Sequence, residues 1–154
     1  MRRWLIVFCL VLLTGSTAWA QGRTWQISET GWGRVHTGIS IATSYPERTM
    51  GEMSIHRWRK TSGTLQVDFD KREATLSLGR KKDKTYILMT ESQPYQTRDG
   101  WTYVEYEALD GRNAGCRFWL CRHESGAERL LIFYPFGRPD TVYGYLLNST
   151  GVSL

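Results

Sequence analysis

The sequence predicts an all-β fold, a small antiparallel meander barrel of about 8 to 10 strands, with a β-sandwich as the alternative. Short segments of alternating character recur along the chain, and turn-forming residues interrupt them after about every ten residues. No segment carries the apolar stripe of an amphipathic helix, with its period of about 3.6 residues. We favour the barrel because the predicted connections are short and local.

Residues 1–20 are predicted to be a secretory signal peptide, followed by a single all-β domain over residues 21–154. Arg2-Arg3 precedes a short apolar run, and Ala18-Trp19-Ala20 supplies small residues at the cleavage position. The apolar run is shorter than the roughly 20 residues of a membrane span, so no integral membrane segment is expected. The sequence therefore predicts a secreted or periplasmic protein, cleaved near Ala20.

The charge of the chain does not favour a nucleic-acid partner. The formal net charge is +5, and +3 would remain after loss of Arg2 and Arg3, which is mild. Two basic runs, 56–60 and 80–82, stand out, and Trp58 in the first is a candidate platform for stacking a base. A solvated strand end and a charged turn explain these runs adequately.

The first half of the predicted domain reads as strands separated by turns. Gly31-Trp32-Gly33 is expected to turn the chain before a long strand. Further on, alternation places Met53 and Ile55 on one side of a strand and Ser54, His56 and Trp58 on the other. The predicted strands are 24–28, 34–45, 52–60, 64–69, 74–78 and 85–91.

Two connections in this region have distinct roles. The strands of the hairpin 64–78 are expected to be joined by a turn at 70–73, capped by the Asp70 side chain. The segment 92–100 is the longest irregular connection. It is a candidate binding loop, and the alternative interpretation is a plain hairpin loop.

The stretch from Trp101 to Phe136 is predicted to form three consecutive strands, 101–109, 116–123 and 128–134. Phe118 and Leu120 are expected to share the core face with Leu130 or Leu131 of the third strand, according to register, whereas Arg117 is expected to face solvent. A closing strand is predicted over 141–148.

Cys116 and Cys121 are predicted to be free thiols despite export. They lie five positions apart, so on one extended strand they would be about 17 Å apart and point to opposite faces. A disulfide requires Cα atoms within about 7 Å. A bulge or tight turn between them is the competing interpretation, since oxidising compartments favour pairing.

The predicted architecture is lipocalin-like in outline, as a small exported meander barrel. Gly31-Trp32 lacks the spacer of the Gly-x-Trp start of that family, and no terminal helix is predicted. The sequence therefore assigns no family.

Motifs for catalysis or metal binding are weak. His36, His56 and His123 lie on three predicted strands, but no spacing fixes their convergence on a metal, and no metal or cofactor is predicted. Glu105 and Glu107 share a strand face at a spacing compatible with acid and base catalysis, although solvation is the commoner reason for such pairs. No nucleophile motif occurs, so a hydrolase is the least favoured function.

Aromatic content is the unusual feature of the chain, and it carries the functional hypothesis. Several strands are apolar on both faces, which suggests that one face lines a cavity and the other contacts a partner or a packing layer. We expect an exported, non-enzymatic binding module for a small apolar or glycan-type ligand. The alternative is a protein-interaction module, an inhibitor or envelope-assembly subunit, that uses edge strands or the 92–101 loop. The candidate ligand-binding residues are Trp58, Tyr86, Tyr95, Trp101 and Tyr103.

Overall fold

Nine antiparallel strands make up most of the part of the chain that the structure, a computed structural model, describes: residues 22–35, 53–135 and 138–153. They are β1 (Arg23–Val35), β2 (Met53–Asp68), β3 (Glu73–Leu78), β4 (Lys84–Glu91), β5 (Tyr95–Gln96), β6 (Trp101–Asp110), β7 (Gly115–His123), β8 (Glu128–Tyr134) and β9 (Arg138–Ser153). The predicted signal peptide lies outside the described residues.

Eight of these strands close into a barrel, which confirms the predicted fold class. Neighbours in sequence pair along most of the sheet, β1 pairs with β9, and β4 pairs with β6 to complete the ring. The short strand β5 pairs with the first residues of β6. The strand β4 pairs with later residues of β6, on the same side of that strand. Because the ring closes, the barrel interpretation replaces the sandwich alternative.

The interior of the barrel is filled by side chains. Each of the eight barrel strands contributes two buried residues to one continuous apolar cluster, as the period of two requires. Its members are Trp25, Ile27, Leu65, Val67, Ala74, Leu76, Tyr86, Leu88, Tyr106, Ala108, Cys116, Phe118, Leu130, Ile132, Tyr145 and Leu147.

The central meander is formed by β6, β7 and β8, as the alternation predicts. Phe118 lies opposite Ile132, and Leu120 lies opposite Leu130, so these side chains share the inner face. Leu131 falls on the other face. The prediction that Phe118 and Leu120 share a core face with residues of β8 is thus confirmed, and the register places Leu130 rather than Leu131 on that face.

The turn predicted at Gly31-Trp32-Gly33 is wrong, because β1 runs straight through it. Both neighbouring strands pair with this segment, and Gly31 lies opposite Gly144 of β9. Gly31 makes room for a neighbouring side chain instead of bending the main chain. A Cβ at Gly31 would lie 2.8 Å from Ile55 Cγ2. Of the long strand predicted at 34–45, only residues 34 and 35 are described, and His36 lies outside the described residues.

The strands predicted at 52–60 and 64–69 are one strand, β2, and its side-chain alternation is interrupted. Arg57 has a φ of +58°, and the register with β1 shifts at this point. The extra residue resets which side chains share a face, so Trp58 joins Ile55 rather than His56. The predicted grouping of Trp58 with His56 is therefore wrong.

The turn between β2 and β3 is capped by Asp68 rather than by Asp70. Pairing continues to Asp68 opposite Glu73, so the turn covers residues 69–72. The Asp68 carboxylate then accepts a hydrogen bond from the Lys71 N–H at 2.9 Å. An aspartate side chain caps the turn, as expected, but that aspartate is the last residue of β2.

Cys116 and Cys121 are both free and buried, which confirms the expectation from their spacing. Cys116 belongs to the inner cluster and Cys121 to the outer face of the sheet. Burial raises the pKa of the Cys116 thiol to about 12 and also raises the pKa of Cys121. Both thiols are thus held in their unreactive, protonated form.

We expect these thiols to react with a soluble disulfide reagent at least about 100-fold more slowly in the native protein than in urea. Reaction would require opening of the barrel, because both side chains are buried. Mass spectrometry of the labelled peptides identifies each cysteine. Recovery of a Cys116–Cys121 cross-linked peptide from unreduced protein would contradict this expectation.

Candidate functional site

Four of the five candidate ligand-binding residues lie on the outside of the barrel. Trp101, Tyr103 and Tyr95 belong to an apolar cluster on the outer face of β6 to β9, and Trp58 packs at its border. We call this cluster the outer aromatic wall. Its buried members are Trp101, Tyr103, Trp119, Cys121, Leu131, Phe133 and Val142, and its partly buried members are Ile55 and Tyr95.

Ring stacking holds the outer aromatic wall together. Tyr103 stacks on Trp119 with 4.3 Å between ring centroids and an interplanar angle of 15°. Tyr95 lies 5.3 Å from Tyr103, and Phe133 lies 4.7 Å from Trp119. Such a row of rings provides packing for the sheet rather than an open groove, since Tyr103 is almost fully buried.

The candidate binding loop 92–100 is fastened to this wall. Backbone hydrogen bonds join Ser92 to Glu105 and Thr97 to Trp101, and the Thr97 hydroxyl accepts a further bond from the Trp101 N–H. Tyr95 faces Tyr103, and Trp101 is buried. These two side chains face the protein, so they are poorly placed to anchor a partner.

Trp58 and Trp101 flank an arginine at the border of the wall. The Arg129 guanidinium carbon lies 4.5 Å from the Trp101 ring centroid and 6.0 Å from that of Trp58. A Cβ at Gly144 would lie 3.0 Å from Trp58 Cη2, so the missing side chain at this glycine makes room for the indole. The contact is a cation–π interaction within the protein.

Glu105 and Glu107, the carboxylate pair considered for catalysis, are bridged by Arg117. Glu105 is buried, and its carboxylate accepts hydrogen bonds from Arg117 and from Trp119 Nε1, the latter at 2.6 Å. Arg117 also reaches Glu107 at 3.3 Å. The expectation that Arg117 faces solvent is therefore wrong: it compensates a buried charge on a face that the aromatic residues cover.

The remaining histidines do not form a metal site. His123 is held at the end of β7 by Ser125 and the Asp99 carbonyl, whereas His56 is exposed on β2. Among the described residues, no group of three or more His, Cys, Asp or Glu side chains is arranged to hold a metal ion.

A small cleft opens at the surface beside β4. It measures about 60 Å³, whereas small-molecule sites usually measure roughly 300 to 1,000 Å³. It is lined by Phe69, Arg72, Leu88, Met89, Glu91 and Tyr106. This cleft is therefore too small to hold such a ligand.

One end of the barrel carries a group of aromatic residues that is open to solvent. Trp32 near the end of β1 is 44% exposed and lies directly opposite Tyr143 of β9. Tyr143 contacts Tyr134 of β8 edge to face, with centroids 6.1 Å apart, and the Tyr134 hydroxyl donates to Asp110 at 3.3 Å. We call these four residues the mouth cluster.

Asp110 gives the mouth cluster a fixed negative charge. Its carboxylate accepts hydrogen bonds of 2.9 Å from the N–H groups of Arg112 and Ala114 in the turn between β6 and β7. Burial disfavours the charged form, but these N–H groups outweigh it and hold the pKa of Asp110 below its ordinary value. The carboxylate is thus an ionised acceptor at neutral pH.

Tyr86, the fifth candidate residue, lies inside the barrel beneath the mouth cluster. Its ring packs 5.6 Å from that of Phe118, and its hydroxyl interacts with that of Tyr134. Burial raises the pKa of Tyr86. It supports the cluster from below but is not itself accessible.

None of the four residues of the mouth cluster is among the five candidate ligand-binding residues predicted from the sequence. The signal in the sequence is a tryptophan flanked by glycines, which is also typical of a turn. An exposed indole beside tyrosine rings and an ionised carboxylate is suited to stacking on a small molecule while accepting its hydroxyl protons.

Comparison of the chain with protein-family models, with curated protein sequences and with solved structures finds no match in any of the three. None of the described residues forms a helix that is long and apolar enough to cross a membrane. A closed β-barrel is compatible with a binding module.

Proposed function

We propose that this protein is an exported, non-enzymatic binding module that holds a small glycan-type ligand at the mouth of its barrel. The observation that carries the proposal is the exposed Trp32 indole beside Tyr143, at the end of a barrel whose interior is filled. The mouths of β-barrels are common positions for ligands. The predicted signal peptide supports export.

A glycan suits this position better than a purely apolar ligand. The apolar face of a sugar ring stacks on an indole, and its hydroxyl groups need hydrogen-bond partners at the edge. The Tyr134 hydroxyl and the Asp110 carboxylate provide such partners within the same cluster. A purely apolar ligand covering this end would displace water from the Asp110 carboxylate without offering it a hydrogen bond.

Calorimetric titration with a panel of oligosaccharides tests the proposal. Trp32→Ala is expected to weaken binding at least about tenfold, and Trp32→Phe is expected to retain part of the affinity, because an aromatic face remains. Ile87→Ala is the matched control, since Ile87 is equally exposed but lies on β4. Absence of binding to any glycan, or equal binding by Trp32→Ala, would contradict the proposal.

A protein partner is the second candidate function, and its supporting observation lies on β4. Ile87 and Met89 are large apolar residues that are exposed two positions apart on one face of this strand. An envelope protein with an apolar surface would cover them. Cross-linking in the host is expected to capture one partner with the wild type and to lose it with Ile87→Asp; recovery of that partner with both proteins would remove β4 from consideration.

A further inference from the structure

The exposed indole of Trp32 stands in a group of basic side chains. His56 lies directly opposite Trp32 across the β1–β2 pair, and the Arg57 guanidinium lies 6.0 Å from the centroid of the Trp32 ring. Arg34 follows two positions after Trp32, on the same face of β1. All three basic side chains are exposed.

Arg59 extends this group on the same face. It lies opposite Thr30, which precedes Trp32 by two positions on β1. The bulge at Arg57 makes this possible, because it brings His56 and Arg59 to the same face although they are three residues apart. We call Arg34, His56, Arg57 and Arg59 the basic face.

Positive charge predominates around Trp32 in the described part of these strands. The segments 30–34 and 55–60, which form this part of the β1–β2 pair, contain no aspartate or glutamate. The nearest acidic positions along the paired strands are Glu29, opposite Lys60, and Asp140, which adjoins the β9 partner of Arg34. Ile55 and Trp58 of β2 point to the opposite side of the sheet.

The same end of the barrel carries a further basic run. In a meander barrel alternate connections lie at one end, so the turn between β3 and β4 lies at the end where β1 finishes. This turn contains Arg80, Lys81 and Lys82, and its one acidic residue is Asp83. A positive potential at this end would attract an anion toward the mouth cluster.

We infer that the ligand at the mouth is an anionic glycan, an oligosaccharide that bears carboxylate or sulfate groups. The inference rests on the proposed function and adds the charge of the ligand to it. A sugar ring stacked on Trp32 would have arginines on both sides, because Arg34 and Arg59 are each displaced from Trp32 by about two residues, or about 7 Å, in opposite directions along the strands. Guanidinium groups bind carboxylates and sulfates through paired, charge-assisted hydrogen bonds.

An acidic glycan fits the site better than a single-stranded nucleic acid. A nucleic acid requires a track of several stacking rings with continuous positive charge along its phosphates. Here one exposed indole is followed by the tyrosines and then by Asp110, whose carboxylate repels any anion placed beside it. A nucleic acid carries a phosphate at every nucleotide, whereas an acidic glycan can place its charged groups over the basic face and a neutral part of its rings beside Asp110. Sugar hydroxyl groups, in contrast, can donate to that carboxylate.

Matched pairs of oligosaccharides test the inference by calorimetric titration. Uronic-acid and sulfated oligosaccharides are compared with neutral oligomers of the same linkage and length. We expect the acidic forms to bind at least about tenfold more tightly, with an affinity that falls as salt is raised. Arg34→Gln with Arg59→Gln is expected to remove most of this preference, whereas Arg122→Gln, at the opposite end of the barrel, is expected to leave it unchanged.

These measurements distinguish a failure of the inferred ligand charge from a failure of the proposed function. Equal, Trp32-dependent binding of acidic and neutral oligomers would overturn the charge of the ligand and leave the proposed function standing. Absence of binding to either kind would overturn both. Trp32-dependent binding of single-stranded DNA as tight as that of the acidic oligomers would also overturn the assignment to glycans. Circular dichroism of each variant confirms that the barrel is folded.

Discussion

Replacing Phe118 with alanine is expected to lower the free energy of unfolding by about 3 to 5 kcal/mol. Phe118 is completely buried and packs against Tyr86 and Tyr106, with ring centroids at 5.6 Å and 6.4 Å. Truncation removes apolar burial and leaves a cavity that rigid strands on all sides cannot close. The loss would be a large part of the roughly 5 to 15 kcal/mol that stabilises such a domain.

Urea denaturation of Phe118→Ala and Arg122→Ala measures this effect within one strand. Arg122 lies on the same strand but is exposed, so its replacement is expected to change stability by less than about 0.5 kcal/mol. Similar losses for the two variants would show that the loss at Phe118 does not come from the burial of its side chain.

Arg117→Met is expected to be the second most damaging change, at about 3 kcal/mol. The Arg117 side chain is only 22% exposed and pairs with Glu105, whose side chain is 7% exposed. Methionine preserves the packing of the aliphatic stem but leaves the buried carboxylate with the Trp119 N–H as its remaining side-chain partner. The cost is therefore mainly that of an uncompensated charge.

A double-mutant cycle separates the charge from the packing. Glu105→Gln removes the buried charge, so Arg117→Met is expected to cost less than about 1 kcal/mol in that background. Thermal and urea melts of the four proteins provide the measurement. If Arg117→Met costs the same with glutamate and with glutamine at position 105, the pair does not stabilise the fold through its charge.

The alternation of side chains was sufficient to predict the meander and the inner face of β7, but not the register that selects Leu130 over Leu131. From Trp101 to Tyr134 the strands are regular, so the period of two identifies the inner face. Alternation failed to predict the two faces of β2. The bulge at Arg57, which has a positive φ, shifts the alternation there, and no residue in the sequence marks this bulge. Alternation also failed at Gly31, because a glycine that admits a neighbouring indole and a glycine that turns the chain have the same sequence pattern.

The candidate site was only partly predictable from the sequence, because alternation does not show which aromatic residues are exposed. Aromatic residues on the outward face of β6 suit a ligand wall and a packing layer equally well, and the structure shows that Tyr95, Trp101 and Tyr103 form a packing layer. The exposed Trp32 lies in a segment where a turn was predicted. Which aromatic residue is exposed depends on the pairing of β1 with β9, and that pairing joins residues more than 100 positions apart, as with Trp32 opposite Tyr143.

The pairing of β1 with β9 also has a consequence for the order in which the chain can fold. As the chain is synthesised from its amino terminus, β1 and β2 are complete before β9, so one edge of β1 has no partner strand until β9 is made. The open edge is a hazard for association between unfinished chains. Closure is thus a late step, and a chain shortened before β9 would expose the edges of both β1 and β8.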